Sequence, residues 1–146
     1  PGPGRTTDIL KDLVPSLIAV EIDPILAAKL TARLAGTNVT VIEADATALP
    51  FPDNHFSAAL SFTMLHHVPT VEQQDKLFAE AARVLKPGAV FAGVDSLDSD
   101  AFRAMHVDDI CVPLVPDTLA ERLTRAGFKS AQVDPNPYVL QFRATA

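Results

Sequence analysis

The stretch SLIAVEIDPILAAKL, residues 16–30, holds two different structural periods back to back. Ser16–Ile22 is a short apolar run bounded by polar residues, the pattern of a buried strand. Asp23 then stands as an N-cap before Pro24 at the first helical position. Ile25, Leu26, Leu30 and Leu34 follow as an apolar helical stripe, which Gly36 closes. A buried strand feeding directly into an amphipathic helix is half of a parallel α/β repeat.

Working outward, the same alternation continues. Upstream, PGPG leads into Arg5–Leu13, of helical composition, which stops before Pro15. Downstream, Asn38–Glu43 and Phe56–Met64 are apolar or alternating runs and predict strands. Thr70 with Gln73 resembles a capping box opening a helix through Leu77, Phe78, Ala81 and Leu85, closed by KPG. Ala89–Val94 predicts the next strand, the polar Asp98–Asp109 a short helix within a longer excursion, and Pro116–Ala126 a helix ending at Gly127. Lys129–Val133 and Tyr138–Ala144 predict two closing strands. The expected fold is one α/β domain over residues 1–146, with a doubly wound, mostly parallel sheet and an antiparallel strand near its C-terminal edge. In such sheets, ligands sit at the carboxyl ends of the strands, where the winding reverses. Attention therefore falls on Gly2–Gly4, Glu21–Ile22, Asp45–Ala46, Ser61–His67 and Asp95–Ser96.

Composition narrows the function classes. The chain of 146 residues is 48% hydrophobic and 21% charged, with 6% aromatic residues and no Trp, so the core is aliphatic and Ala-rich. A net charge of −6 argues against nucleic-acid and anionic-membrane partners. The single Cys111 forms no internal disulfide and fits a reducing, cytoplasmic compartment. No apolar run reaches the roughly 20 residues of a spanning helix.

Gly2 and Gly4 make a turn that lets a ligand approach the backbone, ahead of a helix whose first N–H groups favour an anion. Glu21, at the end of a strand 17 residues after Gly4, can accept both hydroxyls of a ribose. Asp45 repeats the arrangement after the following strand and can take the amino group of an adenine, while Ile22 offers an apolar face to the ring. The competing reading of Asp45 is an Asx turn.

In order and spacing, GPGR, VEIDP, EADATALPFPDNHFSAALSFTMLHHV, RVLKPGAVF and LAERLTRAGFKSAQV resemble the class I S-adenosylmethionine-dependent methyltransferases, small-molecule branch. The resemblance covers nearly the whole chain and implies a Rossmann-like fold with S-adenosylmethionine as cofactor. It further implies that Gly2 and Gly4 line the methionine moiety and that Glu21 binds the ribose diol. Ile22 would pack on the adenine, Asp45 and the Ala46 N–H would read its edge, and Ser61 and Phe62 would offer backbone carbonyls to the methionyl end. Two features depart from the family. Ser57 stands where Asp is common, and the family's first strand, at the centre of its sheet, has no counterpart, so the expectation is an N-terminally truncated domain with the two neighbours of that strand left unpaired.

Methyl transfer from a sulfonium to an O, N or C nucleophile of a small molecule is an in-line displacement needing alignment and a dry pocket more than a catalytic triad. His66 and His67 are the candidate bases, because they follow the strand ending at Ser61–Phe62. His106 reads as a surface histidine and His55 as part of a turn. Four histidines and one cysteine show no zinc spacing, so no metal is expected. Asp95 is read either as facing substrate or as capping a turn. Two rivals remain. An NAD(P)-dependent dehydrogenase shares the glycine turn but wants a third glycine where Thr7 stands. A catalytically inactive, methyltransferase-like module would act through self-association.

Overall fold

The computed structural model describes all residues, Pro1–Ala146. They divide into two compact units, Pro1–Pro50 and Phe51–Ala146.

In the first unit, a short helix α1 (Arg5–Leu10) is followed by strand β1 (Leu17–Glu21), helix α2 (Pro24–Arg33) and strand β2 (Val39–Glu43). β1 and β2 pair in parallel from Leu17↔Val39 to Glu21↔Glu43. The start of α2 is fixed by Asp23, whose Oδ1 accepts the N–H groups of Ile25 (2.8 Å) and Leu26 (2.9 Å). Ala19, Leu30 and Leu34 form the core of this unit, with Val39 and Val41 packed against them. Ile25 departs from the expected stripe and is 65% exposed. At 3.6 residues per turn it sits about 140° around the helix from Leu30, off the buried face. α1 also ends earlier than its composition predicts, at Leu10 rather than Leu13.

The second unit contains β3 (Phe56–Phe62), a 3₁₀ turn at Leu65–His67, α3 (Val71–Val84), β4 (Leu85–Ser96), α4 (Asp100–Ala104), α5 (Pro116–Arg125), β5 (Ser130–Pro135) and β6 (Val139–Thr145). Its sheet has the order β3-β4-β6-β5. β3 and β4 run parallel, and β6 runs antiparallel to both β4 and β5. The antiparallel strand thus lies one position in from the edge. The core is built on Phe91, whose ring meets those of Phe142 (5.0 Å between centroids), Phe128 (5.7 Å) and Phe78 (6.3 Å). Arg122, buried on α5, bonds Asp75 and Gln74 of α3 at 2.7 and 2.9 Å.

KPG does not close α3 from outside a helix, as the sequence suggests; Lys86–Gly88 lie within β4, which begins at Leu85. The β3–β4 register shifts between Phe56↔Leu85 and Ala58↔Val90, so the glycine-containing segment is accommodated as an irregularity in the strand pair. Further along, Gly93 faces Ser61, where a Cβ would collide with the Ser61 carbonyl. β1 and β2 each pair on one side only in the first unit, as do β3 and β5 in the second.

Candidate cofactor and acceptor site

β1 and β2 end together, with Glu21 opposite Glu43. The carbonyl of Glu21 accepts the Ala44 N–H at 3.0 Å, so the chain leaves β2 beside the end of β1. Asp45 follows two residues after Glu43. The side chain of Glu21 is almost fully buried and turns back to the glycine loop. Its Oε2 accepts the Gly2 N–H at 2.8 Å and its Oε1 the Asp23 N–H at 3.1 Å. Burial alone would raise the carboxyl pKa; the N–H groups of Asp23 and Gly2 outweigh it and hold the pKa below the usual carboxylate value. Glu21 is thus an ionised anchor between the glycine turn and the α2 N-terminus.

Gly2 and Gly4 both adopt positive φ, +54° and +79°. A Cβ on Gly2 would meet nothing within 4 Å, whereas one on Gly4 would collide with Arg33 and Leu30. Gly4 is therefore required by packing and conformation, and Gly2 leaves its side of the loop open. Ile22 is 67% exposed beside Glu21, an apolar platform without protein cover. Asp45 is exposed, and its Oδ1 accepts the Thr47 N–H at 2.8 Å, the Asx-type turn expected as its alternative role. Its second oxygen is not used in that turn. α1 spans only six residues, so the glycine turn and Glu21, rather than a helix dipole, define the loop.

In the second unit, Ser61 is buried next to Gly93, and its Oγ has no hydrogen-bond partner. Phe62 is partly exposed. Thr63 then takes φ +46°, a left-handed conformation that is strained for a β-branched residue, and its N–H donates to the Val94 carbonyl at 2.8 Å. This strained corner turns the chain into Leu65–His67.

That turn is held by groups that sequence reading missed or left open. Asp95, fully buried at the end of β4, accepts the Leu65 N–H on Oδ2 at 2.9 Å and contacts His66 Nδ1 through Oδ1 at 2.5 Å. Gln74, also fully buried, donates to the carbonyls of Leu65 (3.1 Å) and Val112 (2.8 Å). The Val112 N–H donates to the His66 carbonyl at 2.8 Å. Asp95 is therefore an internal clamp, which settles its two sequence readings in favour of the turn. His106, read from sequence as a surface histidine, is half-buried against His66 and Phe102, with ring centroids 5.0 and 4.5 Å away. His67 lies beside them, its pKa lowered first by burial and further by His66 and His106, against the opposing pull of Asp109. His55 stacks on Phe51 and meets Phe56 edge-on in its turn, as expected. A cleft of about 270 Å³ opens beyond β4, lined by Leu97, Ala101, Phe102, Met105, Pro137 and Tyr138 among others.

A methyltransferase-domain family model matches residues 1–93. The chain belongs to the S-adenosylmethionine-dependent methyltransferases. Within that family it is 33% identical over 102 residues to sterol methyltransferase-like 2 of Botryococcus braunii, covering 68% of this chain and 25% of that protein. It is 36% identical over 80 residues to the ubiquinone/menaquinone biosynthesis C-methyltransferase UbiE of Pseudomonas paraeruginosa, covering 55% and 28%. The chain thus spans about a quarter of the length of these curated relatives. Among solved structures, the S-adenosylhomocysteine complex of DhpI superposes with a TM-score of 0.77 at 25% identity, over 98% of this chain and 72% of that one. The fold is Rossmann-like, as the sequence predicts, and the dehydrogenase reading is not favoured. No helix is long and apolar enough to cross a membrane.

The residues present suit the family's cofactor. Within the first unit, the glycine turn is open at Gly2, and an ionised carboxylate and a bare apolar platform adjoin it.

Proposed function

We propose that this chain is a single S-adenosylmethionine-binding domain that methylates a small, largely apolar acceptor. The observation that carries the reading is the paired ending of β1 and β2, which brings Glu21, clamped to Gly2, next to exposed Ile22 and the Asp45 turn. Gly2 and Gly4 would line the methionine moiety, Glu21 would take the ribose hydroxyls, and Ile22 would cover the adenine. Asp45 and the Ala46 N–H would read the base, and Ser61 and Phe62 would receive the methionyl end through their carbonyls. When bound, the cofactor supplies a methyl group already activated by its sulfonium.

The chain's own residues have three tasks in this reading. The glycine turn and the two acids orient the nucleoside. The cleft beyond β4 would align the acceptor, and alignment supplies much of the acceleration for an in-line displacement. The Leu65–His67 turn offers a proton acceptor where the nucleophile needs one. A carboxylate only accepts hydrogen bonds, so His66 Nδ1 donates to Asp95 and Nε2 is the ring nitrogen left to exchange a proton. His67 is the more exposed of the two candidate bases. The apolar part of the lining is Leu97, Ala101, Phe102 and Met105, with Ser96, Asp98 and Ser99 as its polar part. Together with the words sterol and ubiquinone/menaquinone in the relatives' names, this supports a largely apolar acceptor carrying a polar group.

Isothermal titration with S-adenosylhomocysteine tests the proposal. Saturable binding that Glu21→Ala weakens by roughly tenfold or more, with no response to NADH, is the expected result. Failure to bind S-adenosylhomocysteine, or binding indifferent to Glu21→Ala, overturns it.

A further inference from the structure

We propose that His66, His67 and His106 form a three-histidine site for a divalent transition metal of the zinc type. One ring nitrogen from each lies within 4.8 Å of those of the other two. All three belong to the second unit, so the cluster depends on that unit's packing alone.

The chemistry of the second ring nitrogens argues for ligation over casual stacking. Each Nδ1 faces an oxygen that accepts but does not donate: the Asp95 carboxylate at 2.5 Å for His66, the Phe102 carbonyl at 2.9 Å for His106, and the Asp109 carboxylate at 3.5 Å for His67. The oxygen acceptors on Nδ1 of His66 and His106 hold the donor hydrogen on that side and leave Nε2 as the ligating nitrogen of these two rings; His67, with Asp109 at 3.5 Å, is the less constrained third ligand. Metal-bound histidines are held in the same way, by a carboxylate or backbone carbonyl on the ring nitrogen opposite the metal. The strongest of these supports is itself anchored: Asp95 is fully buried and also holds the Leu65 N–H.

A tetrahedral ion with bonds of about 2.0–2.1 Å needs ligand nitrogens about 3.3 Å apart. Closing from 4.8 Å falls to His67 and His106, which are not fully buried, while His66 is fixed by Asp95. Three neutral imidazoles suit Zn²⁺, Ni²⁺ or Cu²⁺ better than Mg²⁺ or Ca²⁺, which prefer oxygen. With three protein ligands, a fourth position stays open to water or to an oxygen or sulfur donor of a ligand. Phe102 touches the His66 ring and also lines the cleft beyond β4. The site stands without the methyl-transfer reading; a bound ion would occupy the lone pairs of His66 and His67 that otherwise accept a proton.

The test is metal titration of the untagged, chelator-treated chain. Zn²⁺ is followed by calorimetry and Co²⁺ by visible absorption. One ion per chain is expected, with the intense d–d bands of a four-coordinate Co²⁺ site. His106→Ala, a half-buried position outside the sheet, should weaken binding roughly tenfold or more at unchanged circular dichroism. Asp95→Asn should weaken it roughly 10–100-fold, and His55→Ala, remote from the cluster, should leave it unaltered. Absence of stoichiometric binding, affinity unchanged by His106→Ala, or affinity lost in His55→Ala overturns the site.

Discussion

Replacing Asp95 probes the packing on which the histidine turn depends. Its Oδ1 contacts His66 Nδ1 and accepts the Ser96 N–H at 2.7 Å, and its Oδ2 accepts the Leu65 N–H at 2.9 Å. Asparagine fits the same space but has one acceptor oxygen where aspartate has two. If that oxygen keeps His66 and Ser96, the amide nitrogen is left against the buried Leu65 N–H, a donor facing a donor. One unsatisfied buried donor costs about 1–3 kcal/mol, so Asp95→Asn should destabilise by that amount. Asp95→Ala strips acceptors from both buried donors, Leu65 N–H and His66 Nδ1, and should cost about 2–6 kcal/mol. Against a typical total of about 5–15 kcal/mol, the difference between the two variants is easily resolved. Urea unfolding followed by far-ultraviolet circular dichroism reads it. A loss below about 0.5 kcal/mol for both variants, the ordinary range of surface substitutions, would refute the clamp.

Three further outcomes are expected. Gly4→Ala should lose about 2–3 kcal/mol, from the left-handed backbone and the displacement of Leu30, and this should appear as a lower urea midpoint. Gly93→Ala should cost about 1–3 kcal/mol or more, because its Cβ would strike the Ser61 carbonyl and lie 2.7 Å from the Phe142 ring; hydrogen exchange should show β3 and β4 opening together. The lowered pKa of Glu21 makes its contribution to stability present above its ordinary value of 4.5 and lost as pH falls through the lower folded value. Urea midpoints measured down the acid range should therefore fall less steeply for Glu21→Gln than for the natural chain.

Local chemistry made the α/β alternation legible. β1, β2, α2 and α5 lie within a residue or two of their expected bounds, since burial period, the Asp23-Pro24 cap and glycine stops act over a few neighbouring residues. The parallel pairing that sets Glu21 opposite Glu43 followed from the same reasoning, as consecutive parallel strands joined by one helix bring their carboxyl ends together. Ile25 and the early start of β4 were missed because a helix face and a strand register are chosen by what packs against them.

The sequence by itself determined the order of elements, the glycine turn and the acids that end two neighbouring strands, because each is written in residues close along the chain. Only the tertiary structure decided that Asp95, Gln74 and Arg122 would be buried polar clamps, and that His106 would meet His66 and His67. Most of those partners are separated by tens of residues, and no local spacing carries a contact that exists only once β4 and the segments after it have packed against the Leu65–His67 turn.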